Sequence, residues 1–214
     1  MIDVDMWFDP RCPWAWIHSR WLLQVEQVRP VRARFHVMSL ALLNDGREGL
    51  DEWYAEWLTH GWGPVRVAVA VEQRYGGDVL RDLYTTMGTM IHHDKAPIER
   101  ALYVAALTEL GLDVGLADAA DDTELDTVLK ANHEEGIAPL GEDLGTPTLH
   151  VPGPDGRPVA FFGPVVAPVP QGEAAGRLWD GLALVAATDG FFEIRRGRDR
   201  LPRIDRSGAL VDQS

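Results

Sequence analysis

Apolar and polar residues alternate from the start of the chain. Ile2, Val4 and Met6 stand against Asp3 and Asp5, and Trp7 and Phe8 extend the apolar run. A period of two predicts a half-buried strand over residues 2–8. Asp9-Pro10 breaks it. Beyond that point Trp14, Ile17, Trp21, Leu22, Val25 and Val28 recur at helical spacing, predicting a helix with one apolar face to about Val28. Pro13 suits its first turn, where a missing N–H costs nothing. Alternation returns at Val31, Ala33, Phe35 and Val37 against Arg32, Arg34 and His36. Strand, helix and strand form a β-α-β unit, which is right-handed in nearly all proteins.

The next ninety residues lose the period of two. After Met38–Asn44 and the turn signal Asp45-Gly46, helical spacing dominates from about Glu48 to Glu135. Leu50, Trp53, Tyr54 and Trp57 share one face of a first helix, closed by Gly61 and Gly63-Pro64. Pro64 to Tyr75 carries a second, ended by Gly76-Gly77. Its Val65–Val71 stretch alternates β-branched residues, but helical neighbours on both sides favour helix. Asp78 is expected to cap a third, with Val79, Leu83 and Met87 on one face. Ile98, Ala101, Leu102 and Ala105 follow Pro97 in a fourth. Asp122 or Thr123 caps a fifth, carrying Leu125, Val128 and Leu129.

Strand patterning resumes at Gly145–Val151, breaks at the dense turn signal Pro152–Gly156, and resumes at Val159–Phe162, predicting a hairpin. A final helix places Leu178, Leu182, Val185 and Ala186 inward. The order is βαβ, helical insert, ββα. This divides the chain into a discontinuous domain at 1–46 and 138–194, an insert at 47–137, and a poorly ordered tail at 195–214, whose arginines read as a solvated terminus.

Composition narrows the class. With 214 residues and a formal net charge of -13, the chain lacks the basic surface that nucleic acid requires. No apolar stretch approaches the ~18 residues that span a bilayer, and the acidic start Met1–Asp5 is no signal peptide. A single cysteine permits no intrachain disulfide, which fits a reducing cytoplasm. Seven histidines show no metal-binding spacing, so no metal is expected, and no flavin or nicotinamide motif is present.

The one cysteine, Cys12, falls where the first strand gives way to the first helix. Unpaired N–H groups and the positive end of the dipole favour a thiolate there. Such positions bring a cysteine pKa from ~8.5 down to roughly 3.5–7.5, and neighbouring Arg11 is expected to add to the effect. Most free cysteines are small buried hydrophobes. The strand–loop–Cys-Pro–helix context favours a reactive thiol.

A strand followed by Cys12-Pro13-Trp14-Ala15 at a helix start resembles the active site of DsbA-like, thioredoxin-fold oxidoreductases. Gly145-Thr146-Pro147 lies where that fold carries a cis proline, opening the strand beside the cysteine. Its turned backbone would let an extended thiol ligand pair at Thr146. Four further segments are similar to the actinobacterial mycothiol-dependent nitroreductase family: Asp9–Trp21, His36–Leu40, Trp62–Ala68 and Gly141–Thr148. Phe161–Val165 adds to this, and the similarity reaches about Trp179.

The resemblance implies an α/β thioredoxin-like (DsbA-like) fold and an enzyme drawing electrons from mycothiol for a small-molecule acceptor, such as a nitro compound. Ala15 stands where the dithiol form of the family has its resolving cysteine, which implies a monothiol cycle at Cys12. The resemblance also points to Pro13, Trp14, Asn44, Tyr54, His92, Thr146 and Pro147 as thiol- or substrate-binding residues. Among them His92 would relay a proton at a pKa near neutrality, with His93 beside it as the alternative. The rival readings are a thiol transferase resembling the kappa class, in which Cys12 is only a hydrogen-bond partner, and a non-catalytic binding scaffold. Expected partners are a small thiol and its acceptor, with no nucleic acid and no membrane, and a homodimer is compatible.

Overall fold

The first strand, β1 (Ile2–Phe8), runs through the middle of the sheet and leads directly into helix α1 (Pro13–Val28). In the computed structural model, which describes residues 1–141, 144–202 and 204, β1 pairs in parallel with β2 (Val31–Val37), Ile2 opposite Val31 through Phe8 opposite Val37. This register puts Val4, Met6, Phe8, Ala33 and Phe35 on a buried face. On the other face Asp3 meets Arg32 at 2.8 Å, and Asp5 meets both Arg34 and His36 at 2.7 Å. A slip of one residue would exchange the two faces, so the alternation fixes the pairing.

β3 (Thr148–Pro152) lies antiparallel on the other side of β1, and β4 (Pro158–Phe162) pairs antiparallel with β3. The four strands described have the order β2-β1-β3-β4. Between β2 and β3 come α2 (Leu40–Leu43), α3 (Glu52–Thr59), α4 (Trp62–Tyr75), α5 (Leu80–His92), α6 (Arg100–Glu109) and α7 (Asp126–Ile137), with α8 (Gly172–Ala186) after β4. The βαβ, helical insert, ββα order read from the pattern is the order observed.

α8 packs beside α1, where the Trp21 Nε1–H donates to the Ala175 carbonyl at 3.2 Å. Its inward face is led by Ala175 and Trp179, with Leu178 and Leu182 only half-buried. Leu178 and Leu182 still pack against the core and Ala186 is buried, so the expected face turns inward, with Ala175 and Trp179 at its deepest part. Val65–Val71 is helical, with Val65, Val67, Ala68, Val69 and Val71 all fully buried. Helices surround α4, so apolar residues on every side of it mimic strand alternation. Asp78 does not cap α5: it lies inside a 3-10 turn over Gly77–Val79, and its side chain makes no capping bond. Asp122 caps another such turn, Thr123–Leu125, by accepting from the Glu124 N–H, and α7 starts only after it.

Two close approaches fasten the insert to the sheet. On the apolar face Tyr84 of α5 stacks on Phe8 with ring centroids 3.9 Å apart, and a Cβ at Gly88 would lie 2.3 Å from the Trp16 ring. On the polar face a Cβ at Gly136 of α7 would lie 2.4 Å from the Trp7 ring. Trp7 Nε1–H donates to the Asn132 carbonyl at 2.9 Å. Only glycine lets these helices approach so near. After α8 the described tail residues form no regular element.

Candidate active site

Cys12 is the N-cap residue of α1, in extended geometry (φ -73, ψ 113), with Pro13 in the first turn. Its Sγ accepts from the Ala15 N–H at 3.4 Å, taking the part usually played by a serine or aspartate oxygen. On its other side the thiol donates to the Thr146 carbonyl at 3.6 Å. The Thr146-Pro147 peptide is cis. Thr146 is tied to β1 by its hydroxyl, which donates to the Trp7 carbonyl at 2.7 Å, and the Pro147 carbonyl accepts from the Gly163 N–H at 2.8 Å. Strand, helix start and Thr146-Pro147 thus meet at one sulfur.

The expected low pKa is overturned in this closed arrangement. Cys12 is only 5% exposed, and burial pushes its thiol up to about 12. The Ala15 and Trp14 N–H groups pull it down, Asp9 raises it, and Arg198 lowers it. Withdrawal from water outweighs the helix terminus, so the sulfur rests as a neutral thiol.

Asp9, which breaks the first strand and opens the family-like segment Asp9–Trp21, is 1% exposed. Its two carboxylate oxygens accept from the Arg11 and Leu40 N–H groups, each at 2.8 Å. Burial raises its pKa to about 6 against those bonds and the Arg11 charge. The carboxylate bridges the cysteine loop to the exit from β2. Arg11, in contrast, turns away from the thiol. Its guanidinium donates to the Trp57 carbonyl and lies 4.1 Å over the Trp57 ring, while its buried Nε has no partner. An alternation pattern carries no information about which way such a side chain turns.

The insert brings Asn44 and Tyr54 together. Asn44 Nδ2–H donates to the Leu40 carbonyl at 2.8 Å and reaches the Tyr54 hydroxyl at 3.5 Å. The Tyr54 pKa is raised by burial, then by its proximity to Cys12 and Asp9, with the Asn44 bond opposing. Tyr54 therefore remains a neutral phenol whose hydroxyl accepts from Asn44. His92 is also brought to the site, but not as a near-neutral relay. It is buried, hydrogen-bonded through Nε2 to the Pro10 carbonyl at 2.9 Å, and stacked near Trp16. Burial pushes its pKa down to about 4, so at neutral pH it holds the cysteine loop as an uncharged donor. His93 accepts from Trp16 Nε1–H at 3.3 Å.

Trp14 is half-buried, with the Arg198 guanidinium 5.2 Å from its ring centroid. Glu142 and Asp143, within the Gly141–Thr148 segment, and residues 203 and 205–214 of the tail lie outside the described residues. A cavity of 470 Å³ opens elsewhere, at the start of β1 between Asp3, Asp5, Arg34 and His150, and has no part in this chemistry. Among the described residues no helix is long and apolar enough to cross a membrane.

With this geometry in view, the comparisons are specific. Residues 11–196 match the family model of the Rv2466c-like proteins, described by the mycothiol-dependent nitroreductase Rv2466c. The chain belongs to that family. An uncharacterised protein of Mycobacterium tuberculosis, Rv2286c, is 30% identical over 203 residues, covering 92% of this chain and 82% of that protein. Among solved structures, the cytosolic disulfide reductase DsbM from Pseudomonas aeruginosa is similar with a TM-score of 0.57 at 18% identity, over 86% of this chain and 100% of that one. A probable DsbA oxidoreductase from Streptomyces coelicolor follows at 0.53 and 12%, over 85% and 89%. The two structures place the fold as thioredoxin-like of the DsbA type. The family places the chain among thiol oxidoreductases of the mycothiol-dependent reductase kind.

Proposed function

We propose that this member of the Rv2466c-like family is a monothiol oxidoreductase in which Cys12 exchanges with mycothiol. Cys12 and one mycothiol together give two electrons and two protons to a small-molecule acceptor, leaving an enzyme–mycothiol mixed disulfide. A second mycothiol attacks that disulfide, restoring the Cys12 thiol and releasing mycothiol disulfide. Net, two thiols become one disulfide and the acceptor gains two hydrogens; a nitro compound is one such acceptor. The observation that carries this is Ala15. Its N–H meets the Cys12 sulfur at 3.4 Å at the position where a resolving cysteine would stand, and Cys12 is the only cysteine in the chain. An external thiol must do the resolving.

Asn44, Tyr54 and Trp14 would hold the thiol, the Thr146 backbone would pair with it, and Pro13, His92 and Pro147 would shape the loops around it. The acidic surface and lone unpaired cysteine support a cytoplasmic setting and small-molecule partners, with a homodimer compatible. Intact mass tests the reading. Wild-type protein given oxidant and mycothiol should gain one mycothiol per chain, and Ala15→Cys should abolish that build-up because a neighbouring thiolate attacks intramolecularly. Turnover without any low-molecular-weight thiol adduct would overturn it.

A second reading is favoured by one observation. Cys12 rests as a neutral thiol donating to Thr146, which suits the kappa-like transferase role of hydrogen-bond partner to a bound cosubstrate thiol. Cys12→Ser separates the two: the monothiol enzyme loses all turnover, the transferase keeps part of it, and the scaffold has none in either form.

A further inference from the structure

Two arginines lie near the reactive sulfur, and the nearer in sequence is the wrong one. Arg11 is committed to Trp57 of α3. The C-terminal segment instead returns to the start of α1 after α8 and sets the Arg198 guanidinium over the Trp14 ring, 5.2 Å from its centroid. Trp14 is two residues from Cys12, so the ring that seats the cation belongs to the same first turn as the N-cap sulfur. We propose that Arg198 is a positioning residue for the thiol exchange, its guanidinium seated on Trp14 to stabilise the Cys12 thiolate once the bond to Thr146 is given up. This rests on the monothiol reading and names a residue of that same site.

The surroundings give the charge a clear task. From the β1–α1 loop, Asp9 disfavours the Cys12 anion; from the tail, Arg198 favours it. Tyr54 of α3 and Tyr84 of α5 both feel the charge of Cys12 and have raised pKa values, so both are neutral, and His92 of α5 is neutral as well. In the resolving step a second mycothiol attacks the mixed disulfide: one S–S bond forms between the two mycothiols, the bond to Cys12 breaks, and Cys12 leaves as a thiolate that takes its proton from water. A cation over the face of Trp14 is attracted by the ring as well as by the developing anion.

The test uses the reduced full-length chain and no mycothiol. Alkylation rates of Cys12 with neutral iodoacetamide and anionic iodoacetate are followed against pH in wild type, Arg198→Lys, Arg198→Ala and Arg198→Glu. Arg198→Lys should keep the wild-type midpoint. Arg198→Ala should raise it, and each unit of rise leaves roughly tenfold less thiolate at a pH below both midpoints. Arg198→Glu should raise it further, and the iodoacetate-to-iodoacetamide ratio should fall in the same order. If Ala and Glu leave the midpoint and the ratio unmoved, or speed both reagents alike, the segment only shields Trp14 and the proposal is overturned. Its failure would leave the mass-adduct result untouched, and a missing adduct would leave these profiles untouched.

Discussion

The sulfur of Cys12 is approached from two sides by different kinds of atom. The thioredoxin half reaches it with main chain: the Ala15 N–H, the Trp14 N–H and the Thr146 carbonyl. The insert and the tail reach its surroundings with side chains, namely Tyr54 backed by Asn44, buried Tyr84, and Arg198 on Trp14. Main-chain contacts follow from the path of the chain and hold for many side chains. They can aim a thiol but cannot choose among thiol partners. Choice belongs to the second side, where one substitution alters a contact without moving the strand or helix that presents the sulfur.

Acid should set the two sides against each other, with the largest effect. His18 of α1, fully buried with Nδ1 3.0 Å from the Pro164 carbonyl, and His92 are both held at about 4 by burial. The unfolded chain therefore takes up more protons than the fold as pH falls below ~6.5, and their contribution, present above that pH, is lost on the way to about 4. Each loss is about 3 kcal/mol. Asp9, raised to about 6, works with the opposite sign: its fold binds the extra proton, so stability is gained as pH falls from about 6 toward 3.8, again by about 3 kcal/mol. In denaturant titrations between pH 6.5 and 4, Asp9→Asn should deepen the loss of stability by about 3 kcal/mol, and His92→Gln, whose amide can still donate to Pro10, should shrink it by about 3 kcal/mol. Equal slopes in all three proteins would show that neither group changes protonation on unfolding.

Gly88→Ala should come next. The added methyl meets the Trp16 ring, which α5 and α1 hold from both sides, so overpacking of about 1–3 kcal/mol is expected in urea unfolding. Gly181→Ala on α8, with nothing within 4 Å, should instead gain about 0.5–1 kcal/mol from helix propensity. Matching behaviour at the two sites would mean that Gly88 is not a docking contact. The smallest effects belong to selectivity. Tyr54→Phe and Asn44→Ala should each weaken mycothiol binding by about 0.5–1.5 kcal/mol, measured by calorimetry; the unfolding midpoint should stay put in Tyr54→Phe and fall in Asn44→Ala, which also loses its bond to the Leu40 carbonyl. Unchanged affinity in both would return the pair to a purely structural part.

The same division explains what the sequence disclosed. β1, α1 and β2 were legible to the residue because alternation and helical spacing are local, and each has one apolar face. Cys12 was found by its place at a strand-to-helix junction. What failed depended on packing between distant segments. The helix terminus that lowers the Cys12 pKa is visible in sequence, but the burial that outweighs it is not. Adjacency makes Arg11 look like the neighbouring cation, while the direction of its side chain is set only by packing. Arg198, in a stretch without periodicity, had no local signal at all. Asp9 carried a faint one: an aspartate two residues before an N–H it can accept from, the geometry of a side-chain turn.

The contact between Trp7 and Gly136 bears on how such a protein can be inherited. Trp7 belongs to the sheet and Gly136 to the last helix of the insert, yet an indole at one position forbids any side chain at the other. The carbonyl of Gly136 also accepts from His150 on β3 at 2.9 Å. A lineage could not exchange this insert for a relative's unless the incoming helix brought a matching notch, or the sheet gave up its indole in the same step. The unit that descends intact therefore joins sheet to helix: a strand residue and a helix glycine 129 positions apart, obliged to change together or not at all.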